Sequence, residues 1–196
     1  MKFVNKNSDA VITAEACLNK RSSAQPPIIL DIRTEEEYNK EHLIGAHSLP
    51  ADQIMGNLSR LPPFAEIILY GEEDSETVPE TVALLKENNF ERIFYVNEGL
   101  SGLLAALRKM PGETFLGDFP KEEWPQKIEE VLNSKIRPAL ASDGGGLTLI
   151  KTEDERVYIN YEGACRGCAS STTGTLRFIQ NTLSISLNKE LEVVSA

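Results

Sequence analysis

The sequence is short of the residues that build metal cages and disulfide frameworks. Among 196 residues it has three cysteines and two histidines. Three is an odd number and closes no disulfide framework. The histidines, His42 and His47, read as ordinary loop and surface residues and not as ligands. No apolar run reaches the roughly 18 residues that a membrane-crossing helix needs, so no membrane partner is expected. Positive charge is scarce too: 20 Lys and Arg stand against 30 Asp and Glu, a formal net charge of -10. Phosphate backbones repel such a chain, which argues against nucleic acid as a partner. The opening Met1-Lys2-Phe3-Val4-Asn5-Lys6-Asn7 lacks an apolar core, which predicts no secretory leader. These absences together predict a cytoplasmic protein whose thiols stay reduced. There a C-x-x-C pair serves metal binding or redox chemistry more often than a structural bridge.

Such a pair is present. Gly163-Ala164-Cys165-Arg166-Gly167-Cys168-Ala169-Ser170-Ser171 holds two of the three cysteines between glycines. Arg166-Gly167 lets the backbone turn tightly, so both thiols can face one point. Thiolates are soft ligands suited to iron–sulfur clusters, Cu(I) or zinc. A pair is half of a tetrahedral set, so either another chain completes it or the pair does redox chemistry. Ser170 and Ser171 open a helical pattern whose N-terminus would lower the thiol pKa. Arg166 adds positive charge, and its plainest reading is a solvated loop residue. Cys17 lies inside an amphipathic pattern capped by Thr13 and reads as a small buried hydrophobe.

The first half alternates buried strands with helices. Ile28–Ile32, Glu66–Tyr70 and Arg92–Val96 are short apolar runs, the signature of strands buried on both faces. Thr34 followed by Glu35-Glu36-Glu37 is a helix start. Pro79 falls in the first turn of a helix ending at Asn88-Asn89, and Gly99–Lys109 is a further helix. This alternation predicts a parallel sheet covered by helices. Asp31, Arg33 and Glu37 read as an internal ion group fixing a strand end. Three features together resemble a rhodanese domain over residues 8–109. They are Leu30-Asp31-Ile32-Arg33 with Glu37-Tyr38; His42-Leu43-Ile44-Gly45-Ala46 with Pro50; and, after the strand ending at Tyr70, a loop, a helix, Asn89-Phe90 and Glu98-Gly99-Leu100. In active rhodaneses, the resemblance implies, a nucleophilic cysteine opens the loop after that strand, and backbone amides there cradle an anionic persulfide. Here the position is Gly71, and Glu72, Glu73, Asp74 and Glu76 line the loop. Carboxylates disfavour an anion and raise the pKa of any nearby thiol. A domain without sulfurtransferase activity, serving as a docking module, is expected.

Residues 110–121 hold two prolines and two glycines, a linker composition; the domains are expected at 1–109 and 122–196. Beyond the linker, Glu122–Asn133 and Ile136–Leu140 read as helical pieces and Asp143-Gly144-Gly145-Gly146 as a sharp turn. Leu147–Lys151 and Arg156–Tyr161 read as a hairpin, Ser170–Leu183 as a helix and Leu191–Val194 as a third strand. That is a small α+β domain. Tyr161 alternates with Ile159 and reads as core. Ile136-Arg137-Pro138-Ala139-Leu140, Asp143-Gly144-Gly145, the cysteine segment and Thr175-Leu176 together resemble the C-terminal domain of NifU-type proteins. Gly146, Ala169 and one or more extra residues around 172–174 depart from that pattern without removing a ligand.

That resemblance implies an iron–sulfur cluster scaffold or carrier, not an enzyme, with Cys165 and Cys168 as the ligands. The cluster would be 4Fe–4S, with 2Fe–2S as the alternative, shared across a homodimer and passed to apo iron–sulfur proteins. A sulfur donor or assembly-machinery protein would be a further partner. Two other readings stand beside it. One is a thiol or persulfide sulfur-transfer enzyme using the same cysteines; the other is an interaction module with zinc at the pair.

Overall fold

The structure, a computed structural model, describes residues 10–23, 25–142, 144–163 and 171–195. The chain divides into two compact units after Pro111.

The first unit follows the alternation in its sequence. β1 (Val11–Ile12) leads to α1 (Ala14–Arg21), with Thr13 as N-cap accepting from the Ala16 N–H. β2 (Ile28–Asp31) is followed by α2 (Glu35–Lys40) and β3 (His47–Ser48), then by α3 (Ile54–Asn57). β4 (Ile67–Tyr70), α4 (Thr77–Glu87), β5 (Ile93–Val96) and α5 (Gly99–Lys109) complete it. The sheet order is β1-β5-β4-β2-β3 and all pairs are parallel. β4 is central, and each of Ile67, Ile68, Leu69 and Tyr70 is fully buried. Since neighbours on a strand point to opposite faces, both faces of the sheet are covered. Val78, Val82 and Leu85 of α4 pack with Ile67, Leu69 and Ile93 in one core. α4 ends at Glu87 with Asn88 as C-cap, and Asn89 just beyond it, with a positive φ of 66°, turns the chain away in the left-handed region. The two-residue strands β1 and β3 lie at the sheet edges, too short for an alternation to show in the sequence.

The second unit opens on α6 (Trp124–Val131), continuing through a π-helical turn (Leu132–Ile136) into α7 (Arg137–Ala141). The sequence reads as two helical pieces, Glu122–Asn133 and Ile136–Leu140. The structure joins them: the Arg137 N–H reaches back to the Leu132 carbonyl, the wider spacing of a π-turn. β6 (Gly145–Glu153) and β7 (Arg156–Gly163) form the expected antiparallel hairpin; α8 (Ser171–Leu187) follows, and β8 (Glu192–Ser195) joins β7 in parallel. A bulge between Leu149 and Lys151 turns Ile150 out, 51% exposed. α8 runs a turn beyond Leu183, so its buried stripe is Ile179, Leu183 and Leu187, with Leu176 at the fringe. These pack on Val157, Ile159 and Tyr161 of β7 and on Ile128, Leu132 and Ile136. Leu116 is fully buried in this same core, and Asn188 Nδ2 donates to Glu113 Oε2 at 2.7 Å and to the Thr114 carbonyl at 3.1 Å. Residues 113–116 therefore pack with the second unit.

Candidate functional site

The hairpin end of the second unit is the frame of the cysteine segment. Cys165 and Cys168 lie outside the described residues, as do Asp143, Arg166 and Ser170. What is described is the chain on either side: Gly163 as the last residue of β7, and α8 from Ser171. The ladder sets Gly145 opposite Gly163 and Gly146 opposite Glu162. Two motifs far apart in the sequence, the Gly144-Gly145 turn and the glycine before the cysteines, are thus side by side. Both Gly144 (φ 72°) and Gly163 (φ 63°) occupy the left-handed region. Arg137 fastens the start of β6. Its Nε donates to the Leu147 carbonyl at 3.1 Å, and its Nη1 donates to Glu129 Oε1 at 2.6 Å and Asn133 Oδ1 at 2.7 Å. Tyr161 is buried in the core, as its alternation predicts.

In the first unit, the corresponding place is the loop from Gly71 to Glu76 between β4 and α4. It is held by its neighbours and not left open. The Leu100 N–H donates to the Gly71 carbonyl at 3.2 Å, and the Asp74 N–H to the Asn97 carbonyl at 3.1 Å. Asn97 Nδ2 donates to Asp74 Oδ1 at 2.7 Å, Arg33 Nη1 to Glu72 Oε1 at 3.4 Å, and Ser101 Oγ to Glu73 Oε2 at 3.4 Å. Gly99 closes against the loop with a φ of 60°; a Cβ there would stand 2.6 Å from the Glu73 nitrogen. Gly71 is buried, and a Cβ on it would stand 2.8 Å from Val78 Cγ2.

Beneath this loop, the Asp31 carboxylate is fully buried and paired with Arg33, Nη2 to Oδ2 at 2.6 Å. Burial by itself would lower the Arg33 pKa; hydrogen bonding and attraction to Asp31 outweigh it and raise the value. The Tyr70 hydroxyl accepts from the Leu43 N–H at 3.2 Å, and burial, then Asp31, push its pKa well up. The sequence groups Glu37 with Asp31 and Arg33. In the structure the Glu37 carboxylate instead closes a capping box with Thr34, which is nearer along the helix start. Bonding to Thr34 holds the Glu37 pKa below the usual carboxylate value. Cys17 is fully buried, and burial pushes its thiol up to about 12. His42 stacks on Tyr38, ring centroids 3.9 Å apart, while His47 is exposed. Among the described residues no group of three or more His, Cys, Asp or Glu is placed to hold a metal ion.

The profile of the rhodanese-like domain matches residues 14–106, and that of the NifU-like domain matches residues 128–194. The chain joins a rhodanese-like domain to a NifU-like domain. The second match has named relatives. Nitrogen fixation protein NifU of Cereibacter sphaeroides is 37% identical over 75 residues, covering 38% of this chain and 29% of that protein. Fe/S biogenesis protein NfuA of Ruthia magnifica subsp. Calyptogena magnifica is 42% identical over 57 residues, covering 28% and 30%. The chain spans less than a third of the length of these two relatives. A solved rhodanese-like domain from Anabaena sp. aligns at 27% identity with a TM-score of 0.46, covering 50% of this chain and 74% of that one.

In the NifU-like domain, sequence reasoning takes the glycines around the cysteines as part of a tight turn. It misses that Gly163 is in contact with the Gly144 backbone, because the pairing register that brings them together is set by the hairpin. The same holds for Gly99 in the rhodanese-like domain, which is legible as a motif residue but not as the residue that lies against the 71–76 loop. In each case the available signal is a glycine at the boundary of a regular element, where its low propensity calls for a reason.

Proposed function

We propose that the chain is an iron–sulfur cluster scaffold or carrier. The observation that carries this is the NifU-like match over residues 128–194, a stretch that includes Cys165 and Cys168. The relatives' names, nitrogen fixation protein NifU and Fe/S biogenesis protein NfuA, point the same way. The cluster is the cargo, and the ligands are the Cys165 and Cys168 thiolates. Two cysteines per chain are half a ligand set. Two copies about a two-fold axis supply four thiolates, enough for one 4Fe–4S cluster, or for 2Fe–2S. A cluster held between chains can leave when the interface opens and apo iron–sulfur protein thiolates replace these. A four-cysteine site within one chain would retain it.

In this reading residues 122–196, with 113–116 packed on the same core, carry the cluster in the cytoplasm, and residues 1–109 dock a sulfur donor or an assembly-machinery protein. No sulfurtransferase chemistry is assigned to the first domain, since Gly71 offers no nucleophile and its loop is acidic. The test is anaerobic reconstitution with iron and sulfide of the wild type and of the Cys165→Ala, Cys168→Ala double variant. About two irons per chain in a brown dimer, lost in the variant, is the result expected of a shared 4Fe–4S cluster. A colourless monomer without iron would sink the scaffold reading and favour zinc or persulfide chemistry at the pair.

A further inference from the structure

The sheet of the first unit ends at β3, and β3 is short. It pairs with Leu30 and Asp31 of β2 and leaves Ile28 beyond its reach. A groove of about 470 Å³ lies here, a volume in the range of binding clefts. Ile28 and Leu30 of β2 and Leu49, just after β3, line it on the sheet side; Leu61 and Pro62 line it from the segment that follows α3. Arg60 and Asn57 also line it, and Arg60 Nη1 donates to Asn57 Oδ1 at 3.0 Å. The chain has 30 Asp and Glu, yet none of them lines this groove, and among the described residues no carboxylate pairs with Arg60. The stretch from α3 onward also carries Met55 and Phe64, 55% and 88% exposed, two of the three exposed large apolar side chains described in the first unit.

The edge of β3 gives the groove a direction. The Leu49 N–H donates to the Asp31 carbonyl at 2.9 Å. Backbone groups alternate sides along a strand, so the N–H and carbonyl of Ser48 face away from β2, toward the open edge. Such an edge accepts an added strand, whose backbone supplies hydrogen bonds and whose alternate side chains enter the pockets beside it. Leu30 is opposite His47 in the ladder, so residues 28, 30, 47 and 49 share the face on which the groove lies. We propose that the groove and the β3 edge together dock an extended peptide of a partner protein, with an apolar side chain against Leu30, Leu49 and Leu61 and a carboxylate on Arg60. The apolar side chain matches the uncharged walls, and the carboxylate matches an arginine that has no acidic partner of its own. The inference rests on the reading of residues 1–109 as a docking domain, and it names the surface and the chemistry of what docks there. It is independent of cluster binding.

The experiment selects random heptapeptides from a phage library on the full chain. The synthesised hits are then measured by fluorescence anisotropy on wild type, Arg60→Glu and Lys86→Glu. Arg60 and Lys86 are both exposed, so the two reversals change the net charge equally without disturbing a core. Selected peptides should combine an apolar residue with a nearby Asp or Glu. They should bind wild type and Lys86→Glu alike and Arg60→Glu about tenfold more weakly, the scale of one charge-assisted hydrogen bond. On peptide addition, the amide NMR shifts that move should be those of residues 47–49 and 57–62. Equal affinity for wild type and Arg60→Glu overturns the proposal. Octanoate tests for a free small acid: if it binds as tightly as the peptides and with the same dependence on Arg60, the groove is a small-molecule site and the peptide falls. An unliganded chain that self-associates, and that Arg60→Glu makes monomeric, would put a second copy in the groove and overturn the proposal as well. Peptides retained elsewhere on the first unit, indifferent to Arg60→Glu, would overturn this site and leave the docking reading standing. No retained peptide at all would overturn both.

Discussion

Arg33→Ala would leave the fully buried Asp31 carboxylate without its 2.6 Å partner beneath the acidic loop. Removing one member of a buried pair is costly because the other charge stays desolvated. The expected loss is about 3–5 kcal/mol of stability, read as a lower urea midpoint. Arg33→Lys keeps a charge but not the planar fork that reaches both carboxylate oxygens and the Glu41 carbonyl, so its loss should be smaller. A midpoint unchanged in Arg33→Ala would show that the pair adds nothing. Cys17 gives the second prediction at this scale. Burial raises its thiol from 9.0 to about 12, so near neutral pH it is protonated as well as inaccessible. In the native protein Cys17 should stay unmodified by a disulfide reagent and react only in denaturant. The sign of the pH effect follows: the folded value lies above the unfolded one, so this group's contribution is intact below pH 9.0 and is lost as pH rises toward 12. Rapid labelling of Cys17 in the folded chain would contradict this account.

The loop after β4 is governed by its neighbouring elements. α5 begins at Gly99, whose left-handed backbone lets the helix start lie directly against Glu72 and Glu73. α4 places Val78 where a side chain on residue 71 would begin. Gly71→Cys would therefore put a thiol into space already occupied, beside carboxylates that raise its pKa. Thiosulfate:acceptor sulfurtransferase activity of this variant should remain at background, measured as sulfur transfer to cyanide. Turnover clearly above the wild type would mean that the loop can still cradle an anion. In the second unit the equivalent lesson concerns α6, the π-turn and α7. Pro138 interrupts the α-helical ladder, and the wider turn brings Arg137 to β6, the strand paired with β7.

At the scale of the whole chain, each unit has its own core, one built around β4 and α4 and the other around β7 and α8. No helix among the described residues is long and apolar enough to cross a membrane. Separate cores allow damage to be confined, since local stability follows local packing. The Arg33→Ala chain should accordingly still take up iron as the wild type does, while its first unit unfolds earlier. The net charge of -10 also bears on assembly. Two such chains repel at long range, so a cluster-bridged pair has to rest on short-range contacts and the cluster itself.

By itself the sequence determined the two architectures. The apolar runs at 28–32, 66–70 and 92–96 can be buried only in a covered parallel sheet, and the alternation of Val157, Ile159 and Tyr161 can bury only one face. It also supplied the cysteine pair and showed that position 71 has no nucleophile, because those are matters of residue identity. Tertiary structure decided the rest. Leu116 lies in a stretch whose prolines and glycines read as a linker, yet it is fully buried with the second core. Glu37 bonds to Thr34 because the helix start brings them together. Gly163 meets Gly144 because a register fixed along the whole hairpin aligns their ends. Composition and periodicity report what a residue can bury or bond; which partner it finds depends on distances between segments far apart in the chain, and only the folded backbone sets those.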